Sequence, residues 1–413
     1  MASLLQSTQY PSINTILLSN FLWFIYKVTD FREWKVTIFD TINMVNLQFE
    51  ITTLNSEKEK SEWADFVGDR HPVLGLGNIE HRKSFGTKLW SVIFRKDSKI
   101  AGVALFEEVT FTFQENSLDV SSFVKNLISA IKLVAGMRNI RLLLCGDKIL
   151  DGALGFKFNT LYSEAEKTDF LLKSGIAITK KKGVKQQYIL LKSGEKRFFQ
   201  RPWIYVPTEE SFCLDIHWES FDEYKSALKK KYRKRANSLL NKTAHLEVIE
   251  PTQEWWKSNL DKLTELYTIA SEKYRFHFDH FDLNIVTNHL QRENPCWRTY
   301  VYMDGNEIAG YFILARKEGS YYIHLAIQRY RENSTFSVYH RMLVDMVKIG
   351  IEHKMKNVKF GRTAPIAKSS LGALPIETSI FLHSKKAWKR DFLNWLFGRT
   401  DFEPTELRSP FEE

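Results

Sequence analysis

Cysteine is scarce in this chain. Three in 413 residues, Cys145, Cys213 and Cys296, stand far apart in an odd number. That pattern excludes a disulfide framework, offers no zinc-site spacing and suits a reducing compartment. A long apolar run is also missing. Ile13 to Val28 is mostly apolar, but Ser19, Asn20 and Lys27 interrupt it, and it falls short of the roughly 20 residues of a clean membrane span. No basic stretch precedes it and no small-residue cleavage site follows, so it does not read as a signal peptide. Three readings of it stay open: an interfacial segment touching a membrane surface, a helix docked on the body, or residues upstream of a start at Met44. Nor does the chain carry G-x-S-x-G, a P-loop, H-E-x-x-H or a dinucleotide fingerprint.

What is present is aromatic and basic. Phe, Tyr and Trp make up 14% of the chain, enough to fill cores and line a cleft for an extended substrate. The formal net charge of +10 favours an anionic partner such as a nucleotide cofactor, tRNA or an anionic membrane face, without choosing among them.

The chain contains one unit twice. Trp90 to Asp97 is an apolar strand that turns into Ile100-Ala101-Gly102, and Trp297 to Asn306 turns into Ile308-Ala309-Gly310. Downstream, a helix over Phe123 to Met137 and a strand over Asn139 to Leu144 ending at Gly146 parallel a helix over Val338 to Lys354 and a strand over Asn357 to Phe360 ending at Gly361. The expected fold class is therefore α/β (α+β): two tandem domains, each a mixed, mostly antiparallel central sheet flanked by helices. The expected boundaries are an N-terminal extension over 1–43, a first domain over 44–205 ending in a basic, hairpin-like bridge from Lys180 to Arg201, a second domain over 206–400, and a tail over 401–413. Within this scheme Ser56 and Glu59 open a capping-box helix, Ser220 caps a helix from Phe221 to Asn241, and Tyr321 to Ala326 is the central strand of the second sheet.

Three stretches of the second domain carry a family resemblance: the basic run Tyr224 to Ala236, the helix opening Ser334 to His340, and Gly361-Arg362 followed by Lys368-Ser369-Ser370-Leu371-Gly372-Ala373. Their order resembles the acyl-CoA N-acyltransferase (GNAT) superfamily, and the tandem arrangement resembles its FemAB/FemX-like and BioF2-like branches. The last stretch is similar to a Lys-x-x-Phe-Gly pattern of that branch, with Leu371 in place of Phe. The similarity covers Leu47 to Leu396.

The resemblance implies a transferase that moves an acyl or aminoacyl group from a thioester or ester donor to an amine, without a covalent enzyme intermediate. Acyl-CoA, acyl carrier protein or aminoacyl-tRNA is the co-substrate, with acyl thioester preferred over tRNA. No tightly bound cofactor, no metal and no DNA are expected. An acceptor from envelope, lipid or polysaccharide synthesis and a cytoplasmic location, peripheral to the inner membrane face, complete that picture.

In this reading Lys368 stabilises the oxyanion, as a fixed cation beside the reacting carbonyl does. His324 takes the proton of the attacking amine. A strand alternates its faces, so His324 is expected opposite Ile323 and Leu325. Arg329, Arg331, Ser334 and Thr335 stand where ordinary GNAT enzymes cradle the CoA pyrophosphate, although the usual Gly-x-Gly/Ala signature is absent. Six of the seven residues from Lys229 to Arg235 are basic, and no single helix face holds them all, so Lys231, Arg233 and Arg235 are candidates for phosphate contact. Tyr274 and His277 form part of a polar, aromatic acceptor loop, and Arg362, Ser369 and Gly372 complete the substrate side. Each has a plainer alternative: a solvated helix face, a helix cap, surface charge on a loop, or for His324 a hydrogen-bonded core histidine. In the first domain Cys145 to Gly155, with Lys148, is expected at the place of the lysine motif. A non-catalytic member of the fold that binds an anionic ligand or RNA is the rival reading.

Overall fold

The computed structural model describes residues 47–412 except 69–70, 114–138, 149, 151, 153, 187, 194–201, 207, 209, 272–275, 279–280, 288–289, 291–295, 330–336, 377 and 398–405. The segment Ile13 to Val28 and the helix expected over Phe123 to Met137 therefore lie outside the described residues. No described helix is long and apolar enough to cross a membrane.

The described residues open with β1 (Gln48–Thr52) and α1 (Glu57–Val67). The expected capping box opens α1: Ser56 Oγ accepts the Glu59 N–H at 3.2 Å, and the Glu59 carboxylate accepts the Ser56 N–H. After α2 (Leu76–Ser84) comes the first repeated hairpin, β2 (Leu89–Lys96) and β3 (Lys99–Phe113). Its two loop residues, Asp97 and Ser98, both take left-handed φ, 49° and 64°, as two-residue hairpin loops of matching twist require. Then follow β4 (Asn139–Cys145), β5 (Phe156–Phe158), α3 (Glu164–Thr179), β6 (Tyr188–Ser193) and β7 (Ile204–Val206).

The second stretch runs β8 (Ser211–Asp215), α4 (Phe221–Ala227), α5 (Lys230–Lys242), β9 (Glu247–Ile249), α6 (Gln253–Ser258), α7 (Leu260–Ser271), β10 (Phe276–Phe278) and α8 (Asn284–Thr287). The second hairpin, β11 (Trp297–Asp304) and β12 (Glu307–Lys317), leads into β13 (Ser320–Gln328), α9 (Val338–Glu352), β14 (Asn357–Gly361) and α10 (Pro365–Ser369). The last described elements are β15 (Leu374–Ile376), β16 (Ser379–Ser384) and α11 (Ala387–Phe397).

These strands make two mixed sheets. The nine-stranded first sheet runs β1-β2-β3-β4-β6-β16-β7, with β5 and β10 also paired to β3, and the seven-stranded second runs β15-β8-β14-β13-β12-β11-β9. The central position expected for Tyr321 to Ala326 is that of β13.

The two Ile-Ala-Gly motifs occupy the same irregularity. Arg95 pairs with Ile100 and Phe94 with Gly102, so Ala101 is the extra residue of a bulge; Met303 pairs with Ile308 and Tyr302 with Gly310, so Ala309 is. Glycine is required at the third position by close packing. A Cβ on Gly102 would lie 2.2 Å from the Phe158 ring, and one on Gly310 would lie 2.6 Å from the Ile327 carbonyl oxygen.

The downstream equivalence differs from the expectation by one element. β4 pairs antiparallel with β3 as β13 does with β12, so the strand at Asn139 matches β13 and not β14. The helix that matches α9 is α3, which the sequence reading passed over although Ser163 and Glu166 form a second capping box. β6 then matches β14, each parallel to the strand before it, and the Lys180 to Arg201 bridge is in fact a core strand with its flanks. The first-domain place of the lysine motif thus follows Ser193, outside the described residues, and Cys145 to Gly155 matches the loop after β13.

The single helix expected from Phe221 to Asn241 is broken at Leu228 and Lys229. Leu228 forms a β-bridge with Phe411, and the Pro410 carbonyl accepts the Lys229 N–H at 2.8 Å. Chain order does not sort the strands at 205/206 either. β16 sits in the first sheet between β6 and β7, β10 joins the same sheet, and residues 47–413 form one compact unit.

One apolar core binds both sheets. It runs from Trp63, Ile93 and Leu105 through Trp256 and Leu263 to Tyr311, Ile313 and Ile327. Trp63 Nε1 donates to the Leu74 carbonyl and Trp256 Nε1 to that of Leu283, so neither buried indole leaves its polar atom unsatisfied. A second core packs α4, α5 and α9 on the other face of the second sheet.

Candidate functional site

The second sheet is parted at its centre. β13 pairs along its length with β12, but with β14 only over Ser320–Tyr322 against Asn357–Lys359. Beyond that rung β13 continues to Gln328 and β14 to Gly361 with no shared register. Backbone N–H and C=O groups need partners wherever they are withdrawn from water.

A bulge stands just above the last rung. Leu314 pairs with Ile323 and Ile313 with Leu325, leaving His324 as the extra residue. The bulge inverts the alternation of the strand. Tyr321, Ile323 and Ala326 pack on the α9 side, whereas Tyr322, Leu325 and Ile327 join the shared core. The expectation that His324 lies opposite both Ile323 and Leu325 fails for this reason, since those two face opposite ways. The side chain of His324 lies outside the described residues.

Tyr322 and Lys359, which the sequence reading missed, form that last rung. Lys359 Nζ donates to the Tyr322 hydroxyl at 2.9 Å and stands 4.5 Å from its ring centroid. Burial lowers the pKa of Lys317; Glu318, 4.0 Å from its Nζ, opposes that shift, and the charges of Lys359 and Lys157 add to it. Lys157 Nζ donates to the carbonyls of Phe66 and Val67 at the C-terminal end of α1. His71 Nδ1 accepts the N–H groups of Val73 and Leu74. Burial, with the charges of Lys317 and Lys157, holds its pKa down at about 3. A local cue existed in the lysines that end or flank the apolar strands, but their convergence depends on tertiary pairing.

At the end of β14 the backbone reverses sharply. Thr363 and Ala364 take φ of 70° and 48°, a strained conformation for side-chain-bearing residues. Lys368 is 1% exposed, and its Nζ donates to the carbonyls of Gly361, at 3.0 Å, and Arg362. The ammonium thus clamps the turn that ends one side of the opening. Ser369 Oγ accepts the Arg408 N–H, and the Phe411 ring occupies the space beside Gly372, where a Cβ would stand 2.0 Å from it. The tail fills the place at Gly372 that sequence reasoning assigned to a ligand. Arg362 is half-buried in the same turn.

Beyond β13, Arg329 is held by its N–H to Ala309 and by Nε to Ile308, at 2.8 and 3.1 Å. Arg331, Ser334 and Thr335 lie outside the described residues. The N-cap of α9 is Ser337, whose Oγ accepts the His340 N–H. On α5, Lys231 and Arg235 are exposed and flank the Tyr232 ring, while Arg233 donates to the carbonyls of Ser226 and Leu228 at the helix break. Tyr274 and the side chain of His277 lie outside the described residues; the backbone of His277 pairs with Thr112 of β3. Among the described residues no group of three or more His, Cys, Asp or Glu could hold a metal ion.

No family model and no curated protein sequence matches the chain. Among solved structures it is similar to FemX, at 14% identity over 84% of this chain and 99% of that one, TM-score 0.49. It is also similar to Saccharomyces cerevisiae N-myristoyltransferase with bound myristoyl-CoA and inhibitors, at 10% identity over 83% and 80% of the two chains, TM-score 0.48. A tandem GNAT protein from the clavulanic acid biosynthesis pathway matches at 10% identity over 82% and 98%, TM-score 0.45.

Proposed function

We propose that the protein is an acyltransferase of the GNAT type, moving an acyl or aminoacyl group from a thioester or ester donor to an amine. The observation that supports this is the parted pair β13 and β14, with a bulge at the branch point and a clamped turn on the other arm. A pantetheine arm has two amides in an extended chain, which is what two unjoined strand edges can pair with. The acceptor nitrogen attacks the donor carbonyl, the C–N bond forms, the C–S bond breaks and the thiol leaves. His324 on the bulge accepts the ammonium proton, and backbone N–H groups of β13 together with Lys368 stabilise the oxyanion. Arg329 with Arg331, Ser334 and Thr335 serves the donor phosphates. Lys231, Arg233, Arg235, Tyr274, His277 and Arg362 serve the acceptor side. The acceptor comes from envelope, lipid or polysaccharide synthesis at the cytoplasmic side of the membrane.

One observation favours a second reading. Two N–H bonds of Lys368 go to backbone carbonyls, which suits a structural clamp in a non-catalytic binding protein. Native mass spectrometry with acetyl-CoA, long-chain acyl-CoA and desulfo-CoA, on wild type beside Lys368→Ala, separates the two. Saturable binding of one thioester class, followed by transfer to an amine, supports the enzyme. Absence of binding to every CoA species sinks the CoA donor and moves the test to acyl carrier protein and aminoacyl-tRNA.

A further inference from the structure

Helix α5 carries a charge pattern that its own fold does not use. Its 13 residues, Lys230–Lys242, include six cations and no acid. The break at Leu228 and Lys229 takes Lys229 out of the helix, and Arg233 turns back to the carbonyls of Ser226 and Leu228. At about 100° per residue, the other five cations fall within an arc of about 140° on one side. These are Lys230, Lys231, Lys234, Arg235 and Lys242, and all five are exposed. Ala236 and Leu240 take the opposite side and pack into the core. The stripe is about 18 Å long.

This pattern costs the helix stability. Lys230 with Lys234 and Lys231 with Arg235 are like-charged pairs four residues apart. Two of the cations stand in the first turn, where the helix dipole favours acids, and the N-cap Lys229 gives no side-chain cap. Among the described residues none of the five forms an ion pair, although Lys225 on α4 pairs with Asp222 at 2.7 Å. A multivalent anion outside the chain would offset both costs.

At its N-terminal end the stripe adjoins an aliphatic surface. The Pro410 carbonyl accepts the Lys229 N–H and Ser369 Oγ accepts that of Arg408, so this segment joins the start of α5 to α10. On the parts so joined Leu407 is 37% exposed, Ile366 50% and, just past Gly372, Leu374 67%. Cations beside exposed aliphatic side chains match a bilayer, whose anionic headgroups lie over acyl chains. Single-stranded nucleic acid calls instead for aromatic platforms, and the Tyr232 ring is half-buried between Lys231 and Arg235.

We propose that α5 seats the protein on an anionic bilayer, with the stripe on the headgroup phosphates and Ile366, Leu374 and Leu407 at the same surface. This deepens the acyltransferase reading by making the acceptor membrane-borne. It rests on that reading for the acceptor alone, since seating is measured without a donor.

The test is co-sedimentation of the full chain with vesicles of phosphatidylcholine and of an equimolar phosphatidylcholine–phosphatidylglycerol mixture, at low and high salt. Binding is expected to the mixed vesicles only and to fall steeply with salt. Replacing Lys230, Lys234 and Lys242 together by Gln removes three exposed cations and should weaken binding about a hundredfold, about fivefold per lysine. The same change at Lys58, Lys96 and Lys99, exposed on α1 and the first hairpin, alters net charge equally and should weaken it less than about threefold. Ile366→Ser with Leu407→Ser should weaken binding about threefold or more and leave its salt dependence as in wild type. Equal binding to both vesicles, equal loss in the two triple variants, or a chain that binds tRNA in a gel shift while leaving the mixed vesicles unbound overturns the proposal. Loss of thioester binding in native mass spectrometry would overturn the donor instead and leave vesicle binding unaffected.

Discussion

In the first sheet the parallel strands β4 and β6 stay paired from Leu142 to Cys145, the last residue of β4. In the second, the equivalent strands part after Tyr322 and Lys359, with most of β13 still to run. The first sheet is closed by its own loop. Gly155 packs so tightly on Gly146 that a Cβ on it would lie 2.2 Å from the Gly146 nitrogen, and Lys192 covers the same place with Nζ on the Leu150 carbonyl at 2.9 Å. Each sheet thus has one buried lysine spent on backbone carbonyls, Lys192 in one and Lys368 in the other. The first seals a pair of strands, whereas the second holds open the arm of a parted pair. One scaffold used twice keeps its architecture in both copies and its opening in one.

The largest expected effect concerns the joint where the copies meet. His71 has an ordinary pKa near 6.5 in the unfolded chain and about 3 in the folded one. Its contribution is therefore complete above pH 6.5 and is lost as pH falls through the interval, at about 1.4 kcal/mol per unit and about 5 kcal/mol in all. Urea unfolding from pH 7 to pH 3 should show that limb in wild type and a flatter one in His71→Asn, whose side chain still accepts the Val73 and Leu74 N–H groups. Next comes packing. Gly155→Ala and Gly310→Ala both meet backbone atoms and should each cost about 3 kcal/mol in the same assay, whereas Gly102→Ala meets the Phe158 ring, which can move, and should cost about 1.

The lysine pair sharpens the comparison directly. Lys192→Met and Lys368→Met should each cost about 2 kcal/mol, since both strand carbonyls that a buried ammonium had satisfied. Only Lys368→Met should also weaken the binding of a CoA thioester in native mass spectrometry; equal weakening by both breaks the distinction between a sealed sheet and an open one. The smallest effect has the opposite sign. Lys317→Met removes a desolvated cation whose attraction to Glu318 does not offset burial and the repulsion of Lys359 and Lys157, so it should raise stability slightly at pH 7. The lowered folded pKa means the cost falls as pH rises toward 10.5, and so the gain in the variant should shrink in thermal melts toward that pH.

Elements set by short-range chemistry were legible before any coordinates. Both hairpins, the Ser56 capping box and the central strand follow from turn residues, caps and apolar runs that act within a few positions. The helix at Glu164 carries an equally clear capping box, Ser163 with Glu166, but Phe170, Leu171 and Leu172 are consecutive and all buried, so no amphipathic stripe marks the rest of it. What could not be read locally was decided by distant partners. Phe411 breaks the α4–α5 helix, β16 leaves its neighbours for the other sheet, and the bulge at His324 turns one residue out of register. The same holds for the site. Lys368 and Arg362 were visible as a motif, but Tyr322 and Lys359 become a pair only when β13 and β14 lie side by side.

The position of β16 bears on how such a chain is made. It fills the space between β6 and β7, so the first sheet lacks an inner strand until every strand of the second sheet has been synthesised. Domains usually finish in order of emergence, the N-terminal one first. Here the copy translated first must wait, with β6 and β7 unjoined, while the whole of the second is built. Its completion then certifies that the later copy has been produced as well.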